Sequence, residues 1–273
     1  MQPVQNRPGF RQMGVRRFDR VNWLGLYTLC RREIMRFLSV WQQTIFAPLM
    51  TSALFVIVFA LALGRNRGEI MGLSYLAFLG PGILMMTVIQ NAFANTSSSL
   101  ISAKMQGNIV DTLMPPLSAV EILAGYLIGS VTRALIVAFA IAVGMALVIG
   151  QGVAHPLWVL TFVVLGALLM GGLGLLAGIV AQKFDQMAAI TNFVVTPLSF
   201  LSGTFYSVEA LPQPFRTLAH WNPIFYLIDG ARYGFVGVSD APVLRGLAVS
   251  VLTVGLVLFI AWRWLASGYR MKP

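Results

Sequence analysis

Apolar runs of about 20 residues recur along this chain, each long enough to cross a hydrocarbon layer roughly 30 Å thick as a helix. They fall at about 42–64, 75–100, 118–149, 156–181, 186–205 and 243–266. Backbone inside a bilayer must satisfy its own hydrogen bonds, which leaves helices or a closed barrel. These runs are too long and too evenly apolar for the alternating strands of a barrel. With 58% hydrophobic and 10% charged residues, the chain also lacks the polar surface of a soluble fold. The expected fold is an all-α membrane protein with six transmembrane helices.

The formal charge of +10 invites a nucleic-acid reading, but its placement points to a membrane. Arg7, Arg11, Arg16, Arg17, Arg20, Arg31, Arg32 and Arg36 precede the first run, and Arg263, Arg270 and Lys272 end or follow the last. Such a bias marks cytoplasmic ends, and two cytoplasmic termini require an even number of spans. Arg65, Arg67, Arg216, Arg232 and Arg245 fall outside and weaken the bias without reversing it. Residues 1–20 read as a basic cytoplasmic tail without the apolar core of a signal peptide, resting on anionic headgroups. Residues 21–39 read as an amphipathic interface helix, and 40–273 as one six-span domain. Trp23, Trp41, Trp262 and Trp264 fall at inner boundaries and Trp158 and Trp221 at outer ones, where indole rings favour the headgroup zone. The single cysteine, Cys30, excludes an intrachain disulfide.

Between the second and third runs the chain turns polar: SAKMQGNIVDTLMPPLSAVE, 102–121. Ile101, Met105, Ile109 and Leu113 repeat every four residues and predict one apolar stripe on a helix over 101–113, with Lys104, Gln106, Asn108 and Asp111 facing elsewhere. Pro115 and Pro116 stop that helix. Ser118 and Glu121 then form a capping box that starts the third span. The segment is either a docked cytoplasmic turn or a lever that an external motor grips. Lys183 and Asp185 mark the second cytoplasmic turn. They are either a simple solvated turn or a second contact for that motor.

Before the last run, Asn222 and Pro223 read as an N-cap followed by proline at the first helical position. The helix they start is too short to cross. Asp229 and Arg232, three apart, pair on one face. A short outer re-entrant helix of this kind is either a gate or a brace, and the ion pair favours the brace. Within the spans, GPG at 80–82 loosens the outer part of the second run. Gly125/Gly129 and Gly174/Gly178 permit close helix approach. Asn91, Asn95 and the Thr-Ser run 96–99 line a polar pathway or bond between helices. Arg133 sits inside the third run, where a charge is expensive. It either faces an interior pathway or, as the length of this run favours, snorkels to the surface.

The residues resemble the membrane permeases of type-2 ABC exporters, over nearly the whole chain from about residue 20. The resemblance is carried by Gly107, Asn108, Ile109, Val110 and Asp111, followed by Leu113, Pro116, Leu117 and Ser118; by Glu121, Ile122 and Gly125; by 196–212; and by Asn222, Pro223, Tyr226, Arg232 and Tyr233. It implies that 101–113 is a coupling helix, with Lys104, Met105, Gly107, Ile109, Asp111, Leu113 and Pro116 in contact with an ATPase. It also implies two copies of a separate ATPase subunit, which bind ATP and Mg, and a second, identical permease in a homodimer. The function it implies is outward movement of an amphipathic or lipid-like substrate across a bacterial inner membrane, with a lipid-linked glycan, polysaccharide or drug as the alternative cargo. Many members carry acidic and basic residues just before the glycine, where this chain has Ala103, Lys104, Met105 and Gln106.

Chemistry in the chain itself is not expected. A P-loop needs a lysine after glycine, and Lys104, Lys183 and Lys272 all lack it. His155 and His220 have no ligand spacing, so no metal is assigned, and no catalytic residue is assigned either. An intramembrane enzyme would need an H-E-x-x-H or G-x-S-x-G motif, which does not occur. An ion-coupled transporter would need acids deep in the spans, whereas Asp and Glu fall near boundaries.

Overall fold

The computed structural model describes residues 21–63 and 70–270. The basic tail at 1–20, the loop at 65–69 and Lys272 lie outside the described residues. Eleven α-helices are present among the described residues: α1 Trp23–Ser39, α2 Ala47–Leu63, α3 Tyr75–Met105, α4 Ile109–Leu113, α5 Ala119–Val148, α6 Pro156–Val180, α7 Phe184–Ile190, α8 Thr196–Phe200, α9 Phe215–Trp221, α10 Pro223–Val236 and α11 Val243–Ser267. Five helical segments are long and apolar enough to span: Gln42–Leu61, α3, α5, α6 and α11. This is a multi-pass helical membrane protein.

The run expected to cross at 186–205 behaves differently. Its helical part is α7, a π turn at Thr191–Val195 and α8, of 7, 5 and 5 residues. At 1.5 Å per residue these reach only about 25 Å. The helix ends at Phe200, and Gly203 adopts φ +76° in the turn that follows.

Caps set the boundaries. The Ser74 hydroxyl accepts from the Ala77 amide at the start of α3. Ser118 and Glu121 form the expected capping box on α5. Asn222 accepts from Ile224 N at 3.0 Å, and Pro223 opens α10. Gly237 and Gly268 close α10 and α11 in the left-handed conformation, which glycine adopts without a Cβ penalty.

The layout follows from what each helix buries. In its most apolar stretch α3 is 78% buried, whereas the first spanning segment is 11% buried. Helix α3 is therefore the central post, packed by α2, α5, α6 and α10, and α2 lies at the edge. Glycines bring the backbones together. A Cβ on Gly174 would lie 2.4 Å from the Phe93 carbonyl oxygen, and one on Gly178 would lie 3.0 Å from Leu100 Cβ. Thr96 Oγ1 then donates to Gly171 O across the same seam at 2.7 Å. The GPG stretch does not loosen α3, which runs unbroken through Pro81. Gly82 instead admits the Thr204 carbonyl, which a Cβ would meet at 2.3 Å.

Close packing at Gly174 predicts a simple contrast. Gly174→Ala should lower the midpoint of thermal unfolding in detergent, at a cost of about 1–3 kcal/mol from overpacking. Gly255→Ala, with no atom within 4 Å of the new methyl, should leave it unchanged. Equal midpoints for the two variants would refute the tight α3–α6 seam.

Candidate functional site

The polar segment expected to be one helix is two. Helix α3 runs on to Met105, the chain reverses at Gly107 with φ +74°, and α4 begins at Ile109. Gly107 N donates to Lys104 O and Asp111 N to Asn108 O, closing the corner. The four-residue stripe is correspondingly split. Ile101 and Ile109 are buried, while Met105 and Leu113 are exposed. Gly107, Asp111 and Pro116 are exposed too. Together with Val110 and Met114 they form a protruding knob of apolar and polar groups at one end of the bundle.

Lys104 does not face away from the protein. Its ammonium donates to the carbonyls of Gly178, Ile179 and Ala181 at 3.1, 2.7 and 2.9 Å. The last carbonyls of a helix have no intrahelical partner, and a cation there also opposes the helix dipole. Lys104 thus caps α6 and holds the Lys183–Asp185 turn beside the end of α3. Lys183 and Asp185 are both exposed, so the two turns expected to meet a motor stand side by side.

Behind the knob lies a polar network that local pattern did not reveal. Helix α1 buries Leu29, Glu33 and Phe37 against α5. Cβ atoms on Gly125 and Gly129 would meet Leu29 and Glu33 at 2.4 and 2.7 Å, so this glycine pair seats α1. Glu33 is fully buried. It accepts from Ser99 Oγ at 2.9 Å, Arg32 at 3.0 Å and Arg36 at 3.3 Å. Arg36 also donates to Asn95 O and Oδ1 at 2.8 and 3.2 Å, and to Ser98 Oγ at 3.4 Å. Arg32 reaches Thr112 Oγ1 of α4 at 2.8 Å and Tyr126 of α5 at 3.3 Å. Glu121 adds a second tie: its carboxylate accepts from Asn22 N at the start of α1 as well as from Ser118 N, each at 2.5 Å. The signal available in the sequence was a single acid, Glu33, among Arg31, Arg32 and Arg36.

Deeper in the bundle, Arg133 is only 7% exposed and donates to Asn91 Oδ1 at 2.6 Å. The expectation that it snorkels is overturned, because α3 supplies a partner at its own depth. Asn91, Asn95 and Arg133 thus come together between α3 and α5.

At the opposite end, α10 is packed on nearly every side. Asp229 accepts from the backbone of Asp240 and Ala241 at 2.8 and 2.9 Å and pairs with Arg232 at 3.7 Å. Arg232, fully buried, donates to Gly203 O at 2.6 Å and lies 3.9 Å above the Phe78 ring. Asn222 Nδ2 donates to Ser202 at 2.7 Å. Tyr226 is buried, and Tyr233 stacks on His155 and meets Trp158 edge-on. Each of these groups braces α10 against a neighbouring turn or helix.

The family model for ABC-2 type transporters matches residues 25–236. The inner membrane transport permease YadH of Escherichia coli K12 is 38% identical over 250 residues, covering 92% of this chain and 98% of that protein. Nodulation protein J of Rhizobium leguminosarum bv. viciae is 26% identical over 242 residues, covering 87% of this chain and 90% of that protein.

Glu33 provides the test of the network. Glu33→Ala strands Arg36 and Ser99 and should destabilise the protein by about 2 kcal/mol, discounted for the partial exposure of the arginines. Thr28→Ala, on the exposed face of the same helix, should stay within about 0.5 kcal/mol. Denaturation in detergent, followed by tryptophan fluorescence, reads both.

Proposed function

This chain belongs to the ABC-2 type transporter family, and on that premise we propose that it is the permease of an exporter driven by a separate ABC ATPase. The observation that carries the reading is the exposed knob at Met105–Met114, tied at once to α3, α5 and α1. A motor that binds ATP and Mg and pushes there would move three elements together. The knob includes Met105, Gly107, Asp111, Leu113 and Pro116, with Ile109 anchoring it and Lys104 fixing the neighbouring Lys183–Asp185 turn as a second contact. Pro115 and Pro116 stiffen the corner into α5.

The same reading supplies the topology. The knob's end of the bundle carries Arg31, Arg32, Arg36, Lys104, Lys183, Arg263 and Arg270, and the other end carries Arg216, Arg232 and Arg245. Positive charge favours the cytoplasmic side, so the knob faces the cytoplasm and both termini lie there. The shortened run α7–α8 completes a sixth crossing, its gap to the outer surface made up by the turn at 201–206 and the buried α10. Helix α1 lies along the inner interface, with exposed Trp23, Leu24 and Tyr27 in lipid. The span-bearing part, 40–273, is one transmembrane domain. Two copies of the chain flank a central pathway, with two ATPase subunits beneath. The setting is a bacterial inner membrane, as in the name YadH carries.

The cargo is an amphipathic or lipid-like molecule, with Asn91, Asn95 and Arg133 at the inner part of its route. The outer helices, held by Asn222, Pro223, Tyr226, Asp229, Arg232 and Tyr233, close the far side.

Affinity purification of the chain from its native host should recover an ABC ATPase. Asp111→Lys and Gly107→Val should lower the ATPase turnover of the reconstituted complex about tenfold, equivalent to about 1.4 kcal/mol. The permease's own melting midpoint should not change in Asp111→Lys, because Asp111 is exposed. Gly107→Val should lower it, at a cost of about 1–2 kcal/mol, because valine is strained at φ +74°. Normal transport by these variants with no ATPase present would defeat the assignment.

A further inference from the structure

On the side of the bundle where α2 sits, the helices do not close. A cavity of about 130 Å³ lies between α2, α3 and α5. Gly80 and Ile83 border it from the first turns of α3, and Ala140 and Gly144 from the last turns of α5, so it lies toward the end opposite the knob. The gap follows from side-chain size, since Ala53 of α2 joins Gly80, Ala140 and Gly144 in its wall. A Cβ on Gly144 would meet no atom within 4 Å. Ile57 and Val148 also line the cavity and are exposed, so it opens sideways to the surroundings of the bundle.

Water finds little to hold it there. Among the described residues of the wall, Ser52 alone is polar. Its hydroxyl lies 2.9 Å from Thr87 Oγ1, which itself donates to Ile83 O at 2.8 Å. Ser52 is therefore the donor to Thr87, and its proton is already used. A buried water needs roughly two to four polar partners, whereas an apolar cavity of about 150 Å³ stays dry and accepts a small hydrocarbon. The phase around a spanning bundle at this depth is hydrocarbon. A helix, about 10 Å across, is too wide for the cavity, and a single alkyl chain is not.

We infer that this cleft holds one acyl chain of a membrane phospholipid, lying between α2 and α5 against α3. The chain completes the seat of α2, which the protein itself ties to α3 through the Ser52–Thr87 hydrogen bond and the edge-on contact of Phe59 with Tyr75. The lipid belongs to the leaflet opposite the knob, which is the outer leaflet if the permease reading is right. Occupancy is measured without any ATPase, so failure of one does not entail failure of the other.

The probe is a phosphatidylcholine with a photoreactive diazirine midway along one acyl chain, mixed at low fraction into phosphatidylethanolamine vesicles that carry the full chain. After irradiation, labelled peptides are mapped by mass spectrometry. Label should concentrate on 49–57, 80–83 and 140–149, above its level on the exposed Leu252 and Leu256 of α11, which any surrounding lipid touches. Gly144→Leu fills the cleft from within. It should lower labelling there about tenfold and leave α11 labelling unchanged, and Gly144→Ala should do so by less. Gly255→Leu, equally free of neighbours on α11, should label as the wild type does. In lipid-free detergent Gly144→Leu should melt at or above the wild-type midpoint, and added phosphatidylcholine should raise the midpoint of the wild type but not of this variant. Even labelling of the cleft and α11 in the wild type would overturn the site, whether or not the variants accumulate. Wild-type labelling of the cleft in Gly144→Leu would also overturn it. A dimer that Gly144→Leu disrupts, with no label in the wild-type cleft, would give the cleft to a second copy of the chain and defeat the lipid.

Discussion

The half of α3 nearest the knob is polar and buried, and a polar group at that depth must find its partner within the protein. Asn95, Thr96 and Ser99 each do so on a different neighbour or share one. Thr96 takes the Gly171 carbonyl of α6, Ser99 takes Glu33 of α1, and Asn95 takes Arg36 of α1. These bonds fix which faces of α1 and α6 meet α3. The glycines on α5 and α6 then follow as a geometric requirement, since the bonds form only if the backbones come close. Helix α3 is the post of the bundle because its polar stripe is bonded to α1 on one side and to α6 on another.

The same bonds give the knob mechanical reach. A corner joined only by its own chain would pass a displacement to α3 and α5 alone. Here Arg32 grips Thr112 of α4, and Glu121 joins the first turn of α5 to the first turn of α1. A push on α4 therefore reaches α1 through charged hydrogen bonds, which are stronger than neutral ones. Lys104 fastens the end of α6 to the same corner. The element that reads locally as a surface turn is the meeting point of four helices.

Much of this was legible in the residues, and the limits have physical causes. Span positions, the Ser118–Glu121 box, the Asn222–Pro223 start and the Asp229–Arg232 pair depend on neighbours within a few positions, so pattern exposes them. The break at Gly107 did not show. A four-residue apolar repeat is satisfied equally by one helix or by two that meet at a glycine in the left-handed region. The acceptors of Lys104 did not show either, because they lie 74–77 residues further along the chain. The run at 186–205 looked like an ordinary span, since mean apolarity does not register a π turn at Thr191–Val195. Glu33 was passed over because a lone acid among arginines looks like a solvated ion pair until α5 covers it.

In water, an exposed apolar face as large as those of α2 and α11 would itself indicate a partner. In a bilayer that inference fails, because lipid tails solvate leucine as well as another helix does. The informative groups are the polar ones kept away from both water and lipid. Arg232 illustrates one outcome: Asp229, the Gly203 carbonyl and the Phe78 ring surround it and hold α10, although its Nε makes no hydrogen bond among the described residues. Arg133 illustrates the other. It has a single neutral acceptor, Asn91 on α3, and its Nε has no hydrogen-bond partner among the described residues. Glu33, Thr96 and Ser99 are each paired across a helix seam, whereas Arg133 is held to α3 through one neutral oxygen.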